Sequence, residues 1–283
     1  EEECGWMFET KHTDGSVGKI NYTVWSDVFT CPECASELVF WDEAIDTKAG
    51  KVLDIFPCPT CHAELTKRKV ERAWESKFDA SLQSTVKQAK QLPVFINYTI
   101  GKKRYEKRAD ADDLVLIEKI DQLEIPFWFP CSPLPDGYNT RQPQSSHGIT
   151  HVHHFYTKRN LWVCAMLWDK SQSLGAEMKE MVVNMQTRAN KQSSLHISNY
   201  FKGGGGVCKG HLTGTLYIPS LSPEIPATKV YSDRIKTLKR GYSASGAKMK
   251  PCEISTGSAD ALQLPSNSAD FLFFDPPFGA NLN

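Results

Sequence analysis

Two Cys-x-x-Cys pairs carry the clearest chemistry in the chain. The segments Phe29-Thr-Cys31-Pro-Glu-Cys34-Ala-Ser-Glu-Leu38 and Phe56-Pro-Cys58-Pro-Thr-Cys61-His-Ala-Glu-Leu65 agree at Phe, Cys, Pro, Cys, Glu and Leu. Each pair forms a tight turn whose backbone N–H groups point at two thiolates, and two such turns close a tetrahedral four-thiolate site for Zn²⁺. With Cys31, Cys34, Cys58 and Cys61 all engaged, no coordination position stays open, so the role is structural: the metal folds a small sheet that could not bury enough core alone. The residue after the second cysteine of such a turn is often Gly. Here Ala35 and His62 stand there, so slight strain is expected in both turns. Duplication of the pair outside a thioredoxin-like pattern argues against a redox role.

This spacing resembles a zinc ribbon. Lys67, Arg68 and Lys69 follow the second pair directly and either contact DNA or balance the charge of the metal–thiolate group. Lys102, Lys103 and Arg104 form a second basic stretch, and a third runs from Arg234 to Lys250. Lys+Arg and Asp+Glu are both 33, so any phosphate-binding surface must come from local segregation rather than bulk charge.

The other chemistry-bearing stretch is Asp275-Pro276-Pro277-Phe278, which follows the apolar run Phe271-Leu-Phe-Phe274. It resembles the catalytic motif of class I, S-adenosylmethionine-dependent amino-methyltransferases, which act on adenine N6 or cytosine N4. An exocyclic amine conjugated with its ring is a poor nucleophile, and acceptors for its two N–H groups free the lone pair. The resemblance implies that the Asp275 carboxylate and the Pro276 carbonyl are those acceptors, that Pro276 and Pro277 fix the backbone, and that Phe278 stacks on a flipped-out base. Methyl transfer then depends on positioning. Asp260-Ala261, in Ser258-Ala-Asp-Ala-Leu262, resembles the acidic strand end that binds the cofactor's adenine in this family.

The cofactor's glycine motif, a strand followed by Phe-x-Gly-x-Gly, is not found. Gly203–Gly206 follows Ser-Asn-Tyr-Phe-Lys rather than a buried strand and reads as a loop. The resemblance therefore implies a fragment, with the cofactor motif outside this sequence and residues 1–250 as a target-recognition insertion. The chain, including His151-Val-His-His-Phe-Tyr-Thr-Lys-Arg-Asn-Leu-Trp162, is similar to zinc-ribbon-containing, adenine-specific DNA methylases of bacteria and archaea. That likeness implies duplex DNA as partner, a cytoplasmic restriction-modification or phage-defence setting, and little activity for the fragment alone. RNA base methylation (guanine N2 or adenine N6) and non-enzymatic zinc-ribbon DNA binding stay open as alternatives.

The elements that must position these residues are mixed α+β. Gly15–Thr30 alternates Ile20, Tyr22 and Val24 with polar neighbours and predicts a strand running into the first Cys pair; Lys51–Cys58 predicts a second. Residues 76–92 predict a helix closed by Pro93, residues 94–108 a hairpin turning at Gly101-Lys102, and residues 109–123 a short helix with an acidic first turn. Residues 126–150 and 220–227 read as loops. Two helices follow Thr157 and Leu174, and at helical spacing their Met and Trp residues read as core. His147, His151, His153 and His154 invite a metal, but with no carboxylate in register they are expected to be structural or DNA-facing.

The expected organisation is 1–75 with the zinc ribbon, 76–130 as a small α+β insertion, 131–250 as a helical and loop-rich recognition region, and 251–283 as part of a Rossmann-like methyltransferase domain. Nine cysteines without a secretory pattern read as metal ligands and free thiols in a reducing compartment. No apolar run is long enough to span a membrane.

Overall fold

The computed structural model describes residues 2–203, 205–245, 257–258, 264–273 and 275. A 3₁₀ turn (Gly5–Phe8) leads into β1 (Glu9–Lys11) and the 14-residue β2 (Val17–Thr30). After the first Cys pair come β3 (Glu37–Val39), helix α1 (Phe40–Ala44), β4 (Ile45–Asp46) and β5 (Lys51–Val52). The second pair lies between β6 (Phe56–Pro57) and β7 (Glu64–Leu65), followed by β8 (Glu71–Arg72). A hairpin of β9 (Trp74–Asp79) and β10 (Ser84–Ala89) precedes a longer one of β11 (Gln91–Ile100) and β12 (Lys103–Arg108).

The second half is mainly helical: α2 (Ala111–Asp121), α3 (Tyr138–His147), α4 (Lys158–Ser171), α5 (Ala176–Met185), α6 (Ile197–Lys202) and α7 (Ala227–Ser245). The short strands β13 (Ser194–Leu195) and β14 (Cys208–Lys209) pair with each other, and β15 (Leu221–Glu224) returns to the main sheet.

Strand β2 organises the molecule. Its first part is flanked by β11 on one side and by β1 and β15 on the other, while its last residues, Val28–Thr30, pair with β3 and β8 of the cysteine region. One strand therefore belongs to the main sheet and to the cysteine region at once. Pairing of β2 with β11 and β15 crosses the positions 75/76 and 130/131. Glu1–Leu238 is one compact unit, and Lys239–Asn283 is described separately as a second. Within the second unit, the residues described after α7 form no strand.

Among the described residues, the two larger of three apolar clusters matter for the sites. One unites Met7, Ile20, Ile96, Tyr98, Ile120, Val163, Met166, Met181 and Tyr231 under α2, α4, α5 and α7. Its buried Met166 and Met181 are core, as their spacing predicts. The other gathers Phe29, Leu38, Phe40, Trp41, Phe56 and Leu65 around the cysteines.

Three expectations are corrected. Residues 76–89 form the β9–β10 hairpin and no helix, and 91–92 open β11, because pairing of Ser84–Ala89 with Trp74–Asp79 and an Asp79-capped turn outweigh a weak helical period: the Asp79 carboxylate accepts the Ser81 and Leu82 N–H groups. The loop expected at 126–150 contains α3, closed by Gly148 in the left-handed region. A Cβ there would lie 2.1 Å from the Lys87 carbonyl of β10, so this glycine lets α3 approach the hairpin. The loop expected at 220–227 contains β15; its Pro223 is tolerated because the strand sits at a sheet edge.

Asp27, fully buried on β2, ties the parts together. Its Oδ2 accepts Arg72 Nε at 2.8 Å, its Oδ1 accepts Gln91 Nε2 at 2.8 Å, and His147 Nε2 lies 3.4 Å away. Burial alone would raise the Asp27 carboxyl, but His147, the Arg72 guanidinium and Gln91 outweigh it and hold it at about 2. A depressed carboxyl stabilises the fold above its unfolded value near 3.8 and loses that contribution as pH falls towards 2. Acid unfolding should therefore steepen in that window by about 2 kcal/mol in the wild type. An Asp27→Asn variant should lack that component; identical pH–stability curves for the two proteins would exclude it.

Candidate metal centre and surrounding sites

The two cysteine turns have the same backbone construction. Cys31 N–H donates to Ser36 O and Ala35 N–H to Cys31 O, both at 2.9 Å; Cys58 N–H donates to Ala63 O at 2.9 Å and His62 N–H to Cys58 O at 3.0 Å. Ala35 and His62 both adopt positive φ (59° and 62°), the left-handed geometry behind the strain expected at those two positions. The repeated Phe and Leu are now explained. Phe29 pairs with Leu38 across the first turn and Phe56 with Leu65 across the second, and all four are buried in one cluster, bridged by Phe40.

These turns bring four sulfurs together. Cys31 Sγ lies 3.8 Å from Cys61 Sγ, and Cys34 Sγ 3.7 Å from Cys58 Sγ. Tetrahedral zinc with bonds of about 2.3 Å requires sulfurs about 3.8 Å apart; these two pairs meet it and all four sulfurs lie within 4.8 Å of one another, so the group can hold Zn²⁺. The Cys61 N–H and the Ser36 hydroxyl lower the Cys58 thiol, while burial and the neighbouring thiols push Cys61 up, so these sulfurs titrate as one group. His62 is not part of the ligand group.

The basic stretches separate into two kinds. The Lys67 ammonium sits 5.0 Å over the Phe40 ring, so it covers the ribbon core. Arg68 and Lys69, and Lys102, Lys103 and Arg104 at the β11–β12 turn, are exposed and make no ion pair among the described residues. By contrast Lys107 pairs with Asp110 and Asp113, and Arg108 with Asp42.

Of the terminal motif, only Asp275 is described, exposed and outside any strand or helix; Pro276, Pro277, Phe278, Asp260 and Ala261 lie outside the described residues. The described residues of the apolar run before the motif, Phe271–Phe273, lie outside any strand. These three are 83%, 68% and 81% exposed, and an apolar strand needs neighbours to cover it.

The histidines hold what the sequence did not reveal. His153 Nε2 and His154 Nε2 both reach Asp79 Oδ2, at 2.7 and 2.9 Å, so a carboxylate is in register after all. It was hidden because Asp79 sits in the segment that reads as a helix. Burial pushes His154 down to about 4 against the opposing pull of Asp79. His153 also lines an apolar cleft of about 200 Å³ together with Trp128, Phe129, Tyr156, Leu161 and Trp168. The outer Trp168 thus lines a cavity where only core was expected. His147 belongs to the Asp27 group instead.

The chain matches no known protein family, no curated protein and no solved structure. Among the described residues no helix is long and apolar enough to cross a membrane.

Proposed function

We propose that the chain is the zinc-bearing, target-recognising part of an S-adenosylmethionine-dependent DNA amino-methyltransferase, with adenine N6 as the methylated atom. The observation that carries this reading is the tetrapeptide Asp275-Pro276-Pro277-Phe278. On this reading the Asp275 carboxylate and the Pro276 carbonyl accept the two N–H groups of the target amine. Phe278 stacks on the flipped base, and Asp260-Ala261 meets the cofactor's adenine. Two further features support a nucleic-acid partner: a four-cysteine group on the shared strand β2, and cations at Arg68–Lys69 and Lys102–Arg104 that make no ion pair among the described residues. The cofactor's methionine end would be held by a glycine motif encoded outside these residues, in a Rossmann-like domain to which residues 251–283 contribute. A DNA-modification setting inside the cell, with a restriction or defence partner, fits that chemistry.

The test is transfer of labelled methyl groups to duplex DNA and to RNA by the full-length protein. Label in N6-methyladenine of DNA, abolished by Asp275→Ala, is the expected result. Label in RNA alone would reassign the substrate. DNA binding without transfer would favour the non-enzymatic ribbon reading.

A further inference from the structure

We propose that Asp79, His153 and His154 form a second metal site, for a zinc-like divalent cation, separate from the cysteine ribbon. The three ligand atoms come from elements far apart in sequence. Asp79 ends β9, and the histidines are neighbours on a 3₁₀ turn (Val152–Phe155). Consecutive residues rarely present both side chains to one point. Here the rings stand 4.4 Å apart at 65°, so that both Nε2 atoms meet the same carboxylate oxygen.

The carboxylate is held for that purpose. Its Oδ1 is occupied by the Ser81 and Leu82 N–H groups, at 2.9 and 3.2 Å, leaving Oδ2 for the imidazoles. Such outer hydrogen bonds orient ligands at metal centres. The Nδ1 of His154 faces the Thr150 hydroxyl at 3.4 Å and the Thr150 N–H at 3.3 Å. In a purely hydrogen-bonded cluster both Nε2 atoms donate to Asp79, which makes each Nδ1 an acceptor. His154 Nδ1 then has its donor, whereas His153 Nδ1 is buried with no partner at all. Ligation through both Nε2 atoms moves the proton to each Nδ1; His154 Nδ1 then donates to the Thr150 hydroxyl, and His153 Nδ1 stays without a partner as before.

Two imidazoles and one carboxylate are a donor set that suits zinc and its first-row neighbours. Tetrahedral bonds of about 2.0–2.1 Å place ligand atoms about 3.3 Å apart, so a cation enters by opening the present 2.7 and 2.9 Å contacts by about half an ångström. His151 lies beside the group but is not part of it, so the three protein ligands leave a fourth position to solvent. The His151 ring lies 5.2 Å from that of His154, and its Nδ1 is 2.9 Å from the Thr150 hydroxyl. Asp79 and both histidines are largely buried, so this is an enclosed site rather than a surface patch.

The site stands independently of the methyl-transfer reading and is tested without it. Protein with the ribbon loaded with zinc is equilibrated with Co²⁺, and bound metal is counted. A cobalt equivalent beyond the ribbon zinc is expected, with X-ray absorption at the cobalt edge showing nitrogen and oxygen neighbours and imidazole scattering. No additional equivalent, or cobalt surrounded by sulfur, overturns the proposal. His153→Ala/His154→Ala should lose the cobalt and keep the zinc. Because those rings also dock the hairpin, the near-isosteric Asp79→Asn serves as a second variant, checked for fold by circular dichroism. Cobalt retained at wild-type level in either folded variant would also overturn the assignment.

Discussion

Cys58→Ser should release zinc and unfold the region from Phe29 to Arg72, while the main sheet around β11 persists. The strands of this region beyond β2 are two or three residues long, far too short to hold together by ladder hydrogen bonds. Its core of Phe29, Leu38, Phe40, Phe56 and Leu65 forms only when the two cysteine turns are drawn to one point. Both turns also hold a non-glycine residue at positive φ, at Ala35 and His62, an expense of roughly 1–3 kcal/mol each that only an over-determined site sustains. Structural zinc supplies an apparent 10–16 kcal/mol or so in comparable small sites, which is ample to offset it. Hydrogen exchange is the discriminating measurement. Amides of Cys31, Ala35, Cys58 and His62, all hydrogen-bonded inside the turns, should lose protection in Cys58→Ser and on chelation, whereas those of β11 paired with the first part of β2 should keep theirs. Cys208→Ser, at a cysteine outside the ligand group, should leave both metal content and exchange unchanged. A zinc-free protein with an intact exchange pattern in the turns would show that the metal is dispensable.

The four-cysteine group that can hold zinc was legible because its information is local. Cysteine spacing, the flanking Phe and Leu and even the strained positions repeat within ten residues, so two copies could be read against each other. The hairpin at Gly101-Lys102 and the helix capped by Thr157 were legible for the same reason, since turn and cap chemistry sit next to the element they define. What stayed hidden depends on pairing between distant segments. β15 is four residues with a proline and is a strand only because β2 offers an edge. The β9–β10 hairpin carries no glycine at its turn; Gln83 takes the positive φ instead, so the usual punctuation is missing. Misreading that hairpin concealed Asp79, and with it the partner of His153 and His154. The shared role of β2 could not be seen either, because alternation along a strand reports which faces are buried and not how many neighbours it has.

Arg159→Met should be the most damaging single change away from the cysteines, with a loss of roughly 3–5 kcal/mol, the usual consequence of leaving one buried charge without its partner. Arg159 and Glu224 are 4% and 5% exposed. Nε donates to Oε1 at 2.8 Å and Nη2 to Oε2 at 2.5 Å, a bidentate pair; Nη2 also reaches Thr23 Oγ1 and Nη1 the Met7 carbonyl. Glu224 further accepts Trp25 Nε1 at 2.7 Å and the Thr157 hydroxyl. This one network joins α4, β15, β2 and the first 3₁₀ turn. Burial would raise the Glu224 carboxyl, but Arg159 reverses that and holds it below the ordinary range. Without the guanidinium only burial and the neutral donors remain, so the carboxyl should rise in the variant. A raised folded-state value makes protonation stabilising, and the deficit of Arg159→Met relative to wild type should therefore shrink as pH falls. Adding Glu224→Gln removes the stranded charge while keeping an acceptor for Trp25. The double variant should then be more stable than the sum of the single losses, by about 1–3 kcal/mol in denaturant unfolding. Strict additivity, or a deficit for Arg159→Met that does not change with pH, would mean that Arg159 acts through packing over Phe8, 5.2 Å from its guanidinium, rather than through charge.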